Sequence, residues 1–142
     1  MPNTTMRLIN VNGIVYAYDG DRSKMLSISK EYVKAGIKRR TVTNEFLHVE
    51  DGQPTMSVGY PLIRPATITG LIIHCETASS WVLHILRLGS SSPLVSLAMS
   101  ANTLASNQVL KREVVAGSVL QLKAEGTNIP FPRAILELAW KL

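Results

Sequence analysis

From Pro65 onward, apolar residues gather in short runs separated by residues that favour turns. Five runs read as strands: Ala66–Glu76, Trp81–Leu88, Leu94–Met99, Val119–Ala124 and Ala134–Leu142. Between them stand Thr77-Ala78-Ser79-Ser80, Gly89-Ser90-Ser91-Ser92-Pro93, Ala116-Gly117-Ser118 and Gly126-Thr127-Asn128-Ile129-Pro130. Gly, Asn and Ser tolerate or stabilise turn conformations, and Pro pre-sets one. Short strands at near-regular spacing predict an all-β chain, folded as an antiparallel β-sandwich or jelly roll. In the last strand Leu136, Leu138 and Trp140 fall on one face, opposite Ile135, Glu137, Ala139 and Lys141. Trp81–Leu88 is apolar on both faces, which suits a strand central to a layered core or at a subunit contact. Trp81, Leu136, Leu138 and Trp140 are therefore the expected structural core.

The first half is more mixed. Residues 1–12 read as an extended N-terminal arm, polar at its start and ending in Leu8-Ile9-Asn10-Val11. Residues 13–142 form one domain that opens with a hairpin at 14–28. Its strands are Ile14–Tyr18 and Met25–Ile28, and its turn is built on Asp19-Gly20, where Gly accepts positive φ. Ser29–Gly36 is the best helix candidate, with Ser29 as cap and Gly36 as stop, so the chain holds at most one short helix. Thr41–Val49 alternates in the manner of a strand, and Val109–Val115 is a further strand candidate. Ser100–Asn107, rich in Ala, Ser and Asn, reads as a loop or an irregular edge.

Composition changes this picture in one respect. The chain has 142 residues, 46% of them apolar and only 18% charged. That length supports one core, and so little charge suggests that other subunits cover part of the apolar surface. The net charge of +5 is spread along the chain, and only Lys38-Arg39-Arg40, with Lys34 nearby, forms a cluster. Such runs are most often solvated turns, and this one lacks the interleaved aromatics that stack on bases, which disfavours nucleic acid. It remains a candidate contact for acidic groups of a partner, together with Leu8, Ile9 and Val11 of the arm. Met1–Thr5 carries no signal segment, and no apolar stretch is long enough to span a bilayer, so synthesis and folding in a cytoplasm are expected.

Candidate chemistry is sparse. The single Cys75 excludes an intrachain disulfide and a multi-cysteine zinc site. His74 and Cys75 point to opposite faces of a strand, while His74 and His84 could meet across adjacent strands, but two ligands close no site. No Gly-x-Ser-x-Gly elbow and no glycine-rich phosphate cradle is present. Asp19, Asp21, Glu50 and Asp51 lie in turns, where a glycosidase pair is conceivable and solvated acids are the rule. Asp19-Gly20-Asp21 matches only a fragment of a calcium loop. No catalytic, cofactor or metal residue is assigned, and an enzyme is not expected.

The hairpin segment IVYAYDGDRSKMLSISKEYVKAG resembles a family of small structural proteins of tailed bacteriophages. So do the stretch NEFLHVEDGQPTMSVGYPLIRPATITGLIIHCETASSWVLHILRLG and the C-terminal VVAGSVLQLKAEGTNIPFPRAILELAWKL. The resemblance lies in Leu26–Lys30, Asn44–Val49, Pro61–Ile68, Val115–Leu122 and Glu137–Lys141, with Ser118 where an acidic turn residue is commoner. It implies a trimeric jelly roll that serves as a capsid decoration, or cement, protein of the phage head. The partners implied are itself and the major capsid protein or other virion proteins, in a virion assembled in the host cytoplasm. The alternative is a receptor- or glycan-binding module of a tail fibre or baseplate tip, and the third reading is a small hydrolase. The resemblance supplies no functional residues.

Overall fold

The longest strand organises the fold. In the computed structural model, residues 6–11, 14–19, 24–27, 30–49, 54–56 and 59–141 are described, the first three segments as backbone only. Twelve strands occur among them: β1 Met6–Val11, β2 Ile14–Asp19, β3 Lys24–Ser27, β4 Lys30–Gly36, β5 Glu45–Phe46 and β6 His48–Val49. They continue with β7 Tyr60–Pro61, β8 Ala66–Arg87, β9 Val95–Asn107, β10 Arg112–Val114, β11 Val119–Glu125 and β12 Arg133–Trp140. No helix occurs among the described residues.

β8 runs for 22 residues. One of its edges pairs with β10 through Ala66–Ile68 and with β9 between Leu71 and Ile85. The opposite edge pairs with β12 through Ala66–His74 and with β11 through Val82–Arg87. Between these stretches the register with β9 shifts, from His74 to Ser79 and again to Trp81. Such a bulge bends a strand and raises its twist. β8 thus leaves one half of the structure, with β12, β4 and β6, and enters the other, with β11, β5 and β7.

The segment 42–49 closes the circuit. Val42 bridges Ile129, β5 pairs with β11, the Leu47 amide donates to the Leu122 carbonyl at 2.7 Å, and β6 pairs with β4. Asn44, at φ 46, accepts a hydrogen bond from the Gly126 amide through Oδ1 at 3.0 Å. The result is an all-β domain, a nearly closed antiparallel barrel or sandwich. Its interior holds Ile68, Ile73, Leu83 and Ile85 of β8, Leu120 and Leu122 of β11, and Leu136 and Leu138 of β12, all with no exposed area.

Four sequence expectations are corrected. Ser29–Gly36 forms no helix: Lys30–Gly36 is β4, paired with β12 over seven residues from Lys30↔Ala139 to Gly36↔Arg133. Val33 and Ala35 are buried while Lys34 is exposed, a period of two that outweighs a two-turn helix held only by its caps. Thr77–Ser80 makes no turn between two strands but is the bulged stretch of β8. Ser100–Asn107 is strand, the second part of β9, because its main chain pairs with β8 whatever its side chains prefer. Thr41–Val49 is no continuous strand, since Asn44 at positive φ breaks it into a short bridge and two short strands.

Other expectations are located as follows. Trp81 is buried at 3% exposure, Leu136 and Leu138 are fully buried, and Trp140 is half-buried against the same core. The hairpin at 14–28 corresponds to β2 and β3, paired from Tyr16↔Ser27 to Asp19↔Lys24. Met6–Val11 of the arm is β1, paired with β2 in the same chain rather than extended alone.

Replacing Leu122 by Ala should destabilise the domain by about 2–5 kcal/mol, the usual range for a buried leucine. Gly59 stands at φ 60, where a Cβ would lie 2.4 Å from Val119 Cγ1 and 2.8 Å from the Leu120 carbonyl oxygen. Gly89, at φ 91, has nothing within 4 Å of that position. In urea unfolding, Gly59→Ala should therefore shift the midpoint well beyond Gly89→Ala, which carries only the backbone penalty of about 1–2 kcal/mol.

Candidate interaction surface

A strand at the rim of a sheet presents unpaired amides and carbonyls, and proteins ordinarily guard such a row with lysines, prolines or short length. β9 has none of these guards. It runs for 13 residues, and no charged residue interrupts the chain from Leu88 to Leu110. One edge pairs with β8, and the other meets no strand among the described residues. Its inner-facing row is incompletely covered: Met99 is buried, but Val95, Leu97 and Ala105 pack on the core while remaining half-exposed. On the outer face Ala98, Ser100, Asn102 and Leu104 are exposed, Leu104 at 52%. Ala101, at φ 47, interrupts the strand, and its amide donates to the Ser80 hydroxyl at 2.9 Å. This geometry can accept an added strand, which would satisfy the open row and cover Val95 and Leu97.

A second open edge lies near the N-terminus. β1, β2 and β3 form a separate three-stranded sheet in that order, so among the described residues β1 and β3 each have one unpaired edge. The side chains of Leu8, Ile9 and Val11 lie outside the described residues.

The basic cluster is less available than its charge suggests. Lys38, Arg39 and Arg40 are all exposed on the segment that leaves β4. Arg39 is ion-paired and hydrogen-bonded to Glu45, and Arg40 Nε lies 4.0 Å from Glu76 Oε1. The Arg39 carbonyl accepts from the Phe131 amide at 2.8 Å, which fixes the turn against the β11–β12 connection. Lys38 has no ion pair among the described residues.

The candidate chemical residues do not converge. His74 and His84 lie on one strand, not on adjacent ones, and ten residues of strand span on the order of 30 Å. Cys75 is buried, with Sγ 3.2 Å from the Thr77 carbonyl. His84 Nδ1 lies 2.7 Å from Ser96 Oγ and its Nε2 2.5 Å from Glu125 Oε2, a bridge from β9 across β8 to β11. The side chain of Asp19 and all of Asp21, Glu50 and Asp51 lie outside the described residues. No group of three metal-ligating side chains occurs among the described residues.

A polar cluster surrounds Glu137 on the outer face of β12. Glu137 Oε1 accepts from Thr69 Oγ1 at 2.7 Å and from Lys30 Nζ at 3.1 Å, joining β8, β12 and β4. Thr69 is the extra residue at the register shift, where Glu137 pairs with Gly70 and Leu138 with Ile68. Burial alone would raise the Glu137 carboxyl, but hydrogen bonds from Thr69, Lys30 and Tyr32 together hold it below its ordinary value. At the end of β4, the Tyr60 hydroxyl donates to Glu31 Oε1 at 2.5 Å, and burial with this bond raises the phenol.

The β9 edge was hidden in the sequence because Ala, Ser and Asn read as loop residues. The signal that could have found it is the uncharged run itself, long and unbroken in a basic chain.

A carboxyl held lower in the folded than in the unfolded state stabilises the fold above the unfolded value, and that gain disappears as pH falls through the folded one. Folding stability contributed by Glu137 should therefore be complete at pH 7 and decline from about pH 4.5 downward. Urea melts of Glu137→Gln should show lower stability at pH 7 and a shallower acid limb than the unsubstituted chain. Equal acid limbs would remove Glu137 from the account.

No protein family and no curated protein sequence matches this chain. Among solved structures, the crystal structure of FlhE is similar over 80% of this chain and 99% of its own, with 9% identity and a TM-score of 0.38. The Drosophila melanogaster CENP-C cupin domain is similar over 99% of this chain and 80% of its own, with 10% identity and a TM-score of 0.25. Likeness of this degree carries no functional argument.

Proposed function

We propose that the chain is a non-enzymatic structural protein of a bacteriophage particle: a jelly-roll module that assembles as a homotrimer and decorates the capsid, stabilising the head. The observation that carries this reading is the long, uncharged open edge of β9. A chain of net charge +5 repels its own copies over most of its surface, but not along a strand flanked by an uncharged run from Leu88 to Leu110. The acceptor edge, β9, and the donor edge, β1, are different surfaces. Contact between unlike surfaces is heterologous, and a heterologous contact of suitable rotation closes into a ring rather than a two-fold pair. In this reading the N-terminal strand of one copy lies along β9 of the next, and three copies complete the ring.

Stabilisation of a shell needs no chemistry. A partner that binds only the assembled lattice stabilises it by its binding free energy, and several symmetric contacts act together. A glycan-binding tip would call for an exposed aromatic platform. Tyr32 is the large aromatic exposed among the described residues, at 53%, and it is engaged with Glu137.

Sedimentation velocity at micromolar concentration should give a species of three times the chain mass. The double variant Ala98→Lys and Leu104→Lys adds charge along β9 at exposed positions and should sediment as a monomer with an unchanged β-type circular dichroism spectrum. Deletion of residues 1–11 should have the same effect. A monomeric unsubstituted chain, or a lysine variant that stays trimeric, would overturn the assembly.

A further inference from the structure

At one end of the barrel three connections converge: Leu62–Pro65 before β8, Leu88–Leu94 after it, and Val115–Ser118 between β10 and β11. Main-chain hydrogen bonds lock them together. The Gly117 amide donates to the Leu62 carbonyl, the Leu62 amide to the Ser118 carbonyl, and the Leu88 amide to the Val119 carbonyl, each at 2.8 Å. An open groove of about 350 Å³ lies between the second and the third, lined by Arg87, Leu88 and Val115 through Val119.

Two properties set this end apart. Val115 and Leu88, 63% and 46% exposed, line the groove, and Ile63, 85% exposed, follows Leu62, whose main chain is bonded to Gly117 and Ser118. Clustered exposed apolar groups mark contact surfaces, whereas scattered ones do not. Second, the electrostatics are one-sided. Arg64 and Arg87 are exposed, neither has an ion pair among the described residues, and none of the three connections contains Asp or Glu. The Lys38-Arg39-Arg40 turn differs, because Glu45 and Glu76 already answer Arg39 and Arg40.

We propose that this end of the barrel is the docking surface for an acidic, apolar segment of a partner protein. Leucine- or valine-sized side chains of that segment would cover Ile63, Leu88 and Val115, and its carboxylates would pair with Arg87 and Arg64. An unpaired exposed guanidinium is the group best suited to bind a carboxylate with two parallel hydrogen bonds. The rigid main-chain ties between the connections mean that the surface is formed before binding, which limits the entropy lost on docking. The inference deepens the structural-protein reading by giving its partner contact a place and a chemistry. The two fail separately, because assembly is read by mass and docking by local chemical shifts.

The test uses the ¹⁵N-labelled full-length chain titrated with the blocked peptide Ac-Asp-Leu-Glu-Leu-Asp-NH2, alongside its uncharged counterpart Ac-Asn-Leu-Gln-Leu-Asn-NH2. Saturable amide shifts are expected at residues 62–64, 87–89 and 115–119 with the acidic peptide, and at least fivefold weaker binding with the neutral one. Arg87→Gln should weaken binding of the acidic peptide about tenfold and Val115→Ser several-fold, while Lys38→Gln should leave it unchanged. Three outcomes would overturn the proposal. They are no shifts at millimolar peptide, equal binding of both peptides, and shifts at residues 38–40 as large as those at the barrel end.

Discussion

The main-chain pairing of β8 is the constraint on which the rest of the structure depends. One strand of 22 residues is bonded along one edge to β10 and β9 and along the other to β12 and β11. Its inward residues, from Ile68 through Ile85, face both halves of the core. A one-residue slip would turn that whole set outward, so burial fixes the register strongly. The bulge between His74 and Trp81 is where the strand bends from one group of partners to the other. Glu137 secures the same register from outside, because it binds Thr69, the residue that the shift leaves unpaired.

The same arrangement creates the open edge. β8 is enclosed on both sides, so among the described residues the unpaired row moves outward to β9, where no charged residue or proline guards it and only the bulge at Ser100–Ala101 interrupts it. The inner-facing Val95 and Leu97 are left half-covered for the same reason: the core extends to a strand with no outer neighbour among the described residues. An edge of this kind is an aggregation hazard in an isolated chain and an assembly device in an oligomer. In the proposed ring, β9 is occupied by a neighbour, and the barrel end, whose two arginines have no ion pair among the described residues, is left to face another protein.

The sequence conveyed the β class and the interior, and it failed where main-chain pairing overrode side-chain preference. The period of two at Leu136 and Leu138 was legible because Ala134, Leu136 and Leu138 are buried while Arg133, Ile135 and Glu137 between them are not. Ser29–Gly36 carried good helix ends, yet β12 offered seven pairing partners to Lys30–Gly36, and Val33 with Ala35 could be buried only as a strand. Thr77–Ser80 and Ser100–Asn107 have turn and loop composition, but a long hairpin holds both as strand. The candidate site was legible only in part. The Lys38-Arg39-Arg40 cluster stood out by charge, and charge alone did not reveal that Glu45 and Glu76 answer two of its members. The groove at the barrel end depends on three connections distant in sequence, a juxtaposition that no local pattern records.

Native-state hydrogen exchange, followed amide by amide as the protein is diluted, tests the central claim most directly. If β9 receives a strand from a second copy, the amides of Val95–Asn107 that point away from β8 will be protected at high concentration. They will lose that protection on dilution, while the amides of Ile68–Ile73 stay protected throughout. Outward amides of β9 that exchange freely at every concentration would contradict the account, because the edge would then be bare in the assembled protein as well.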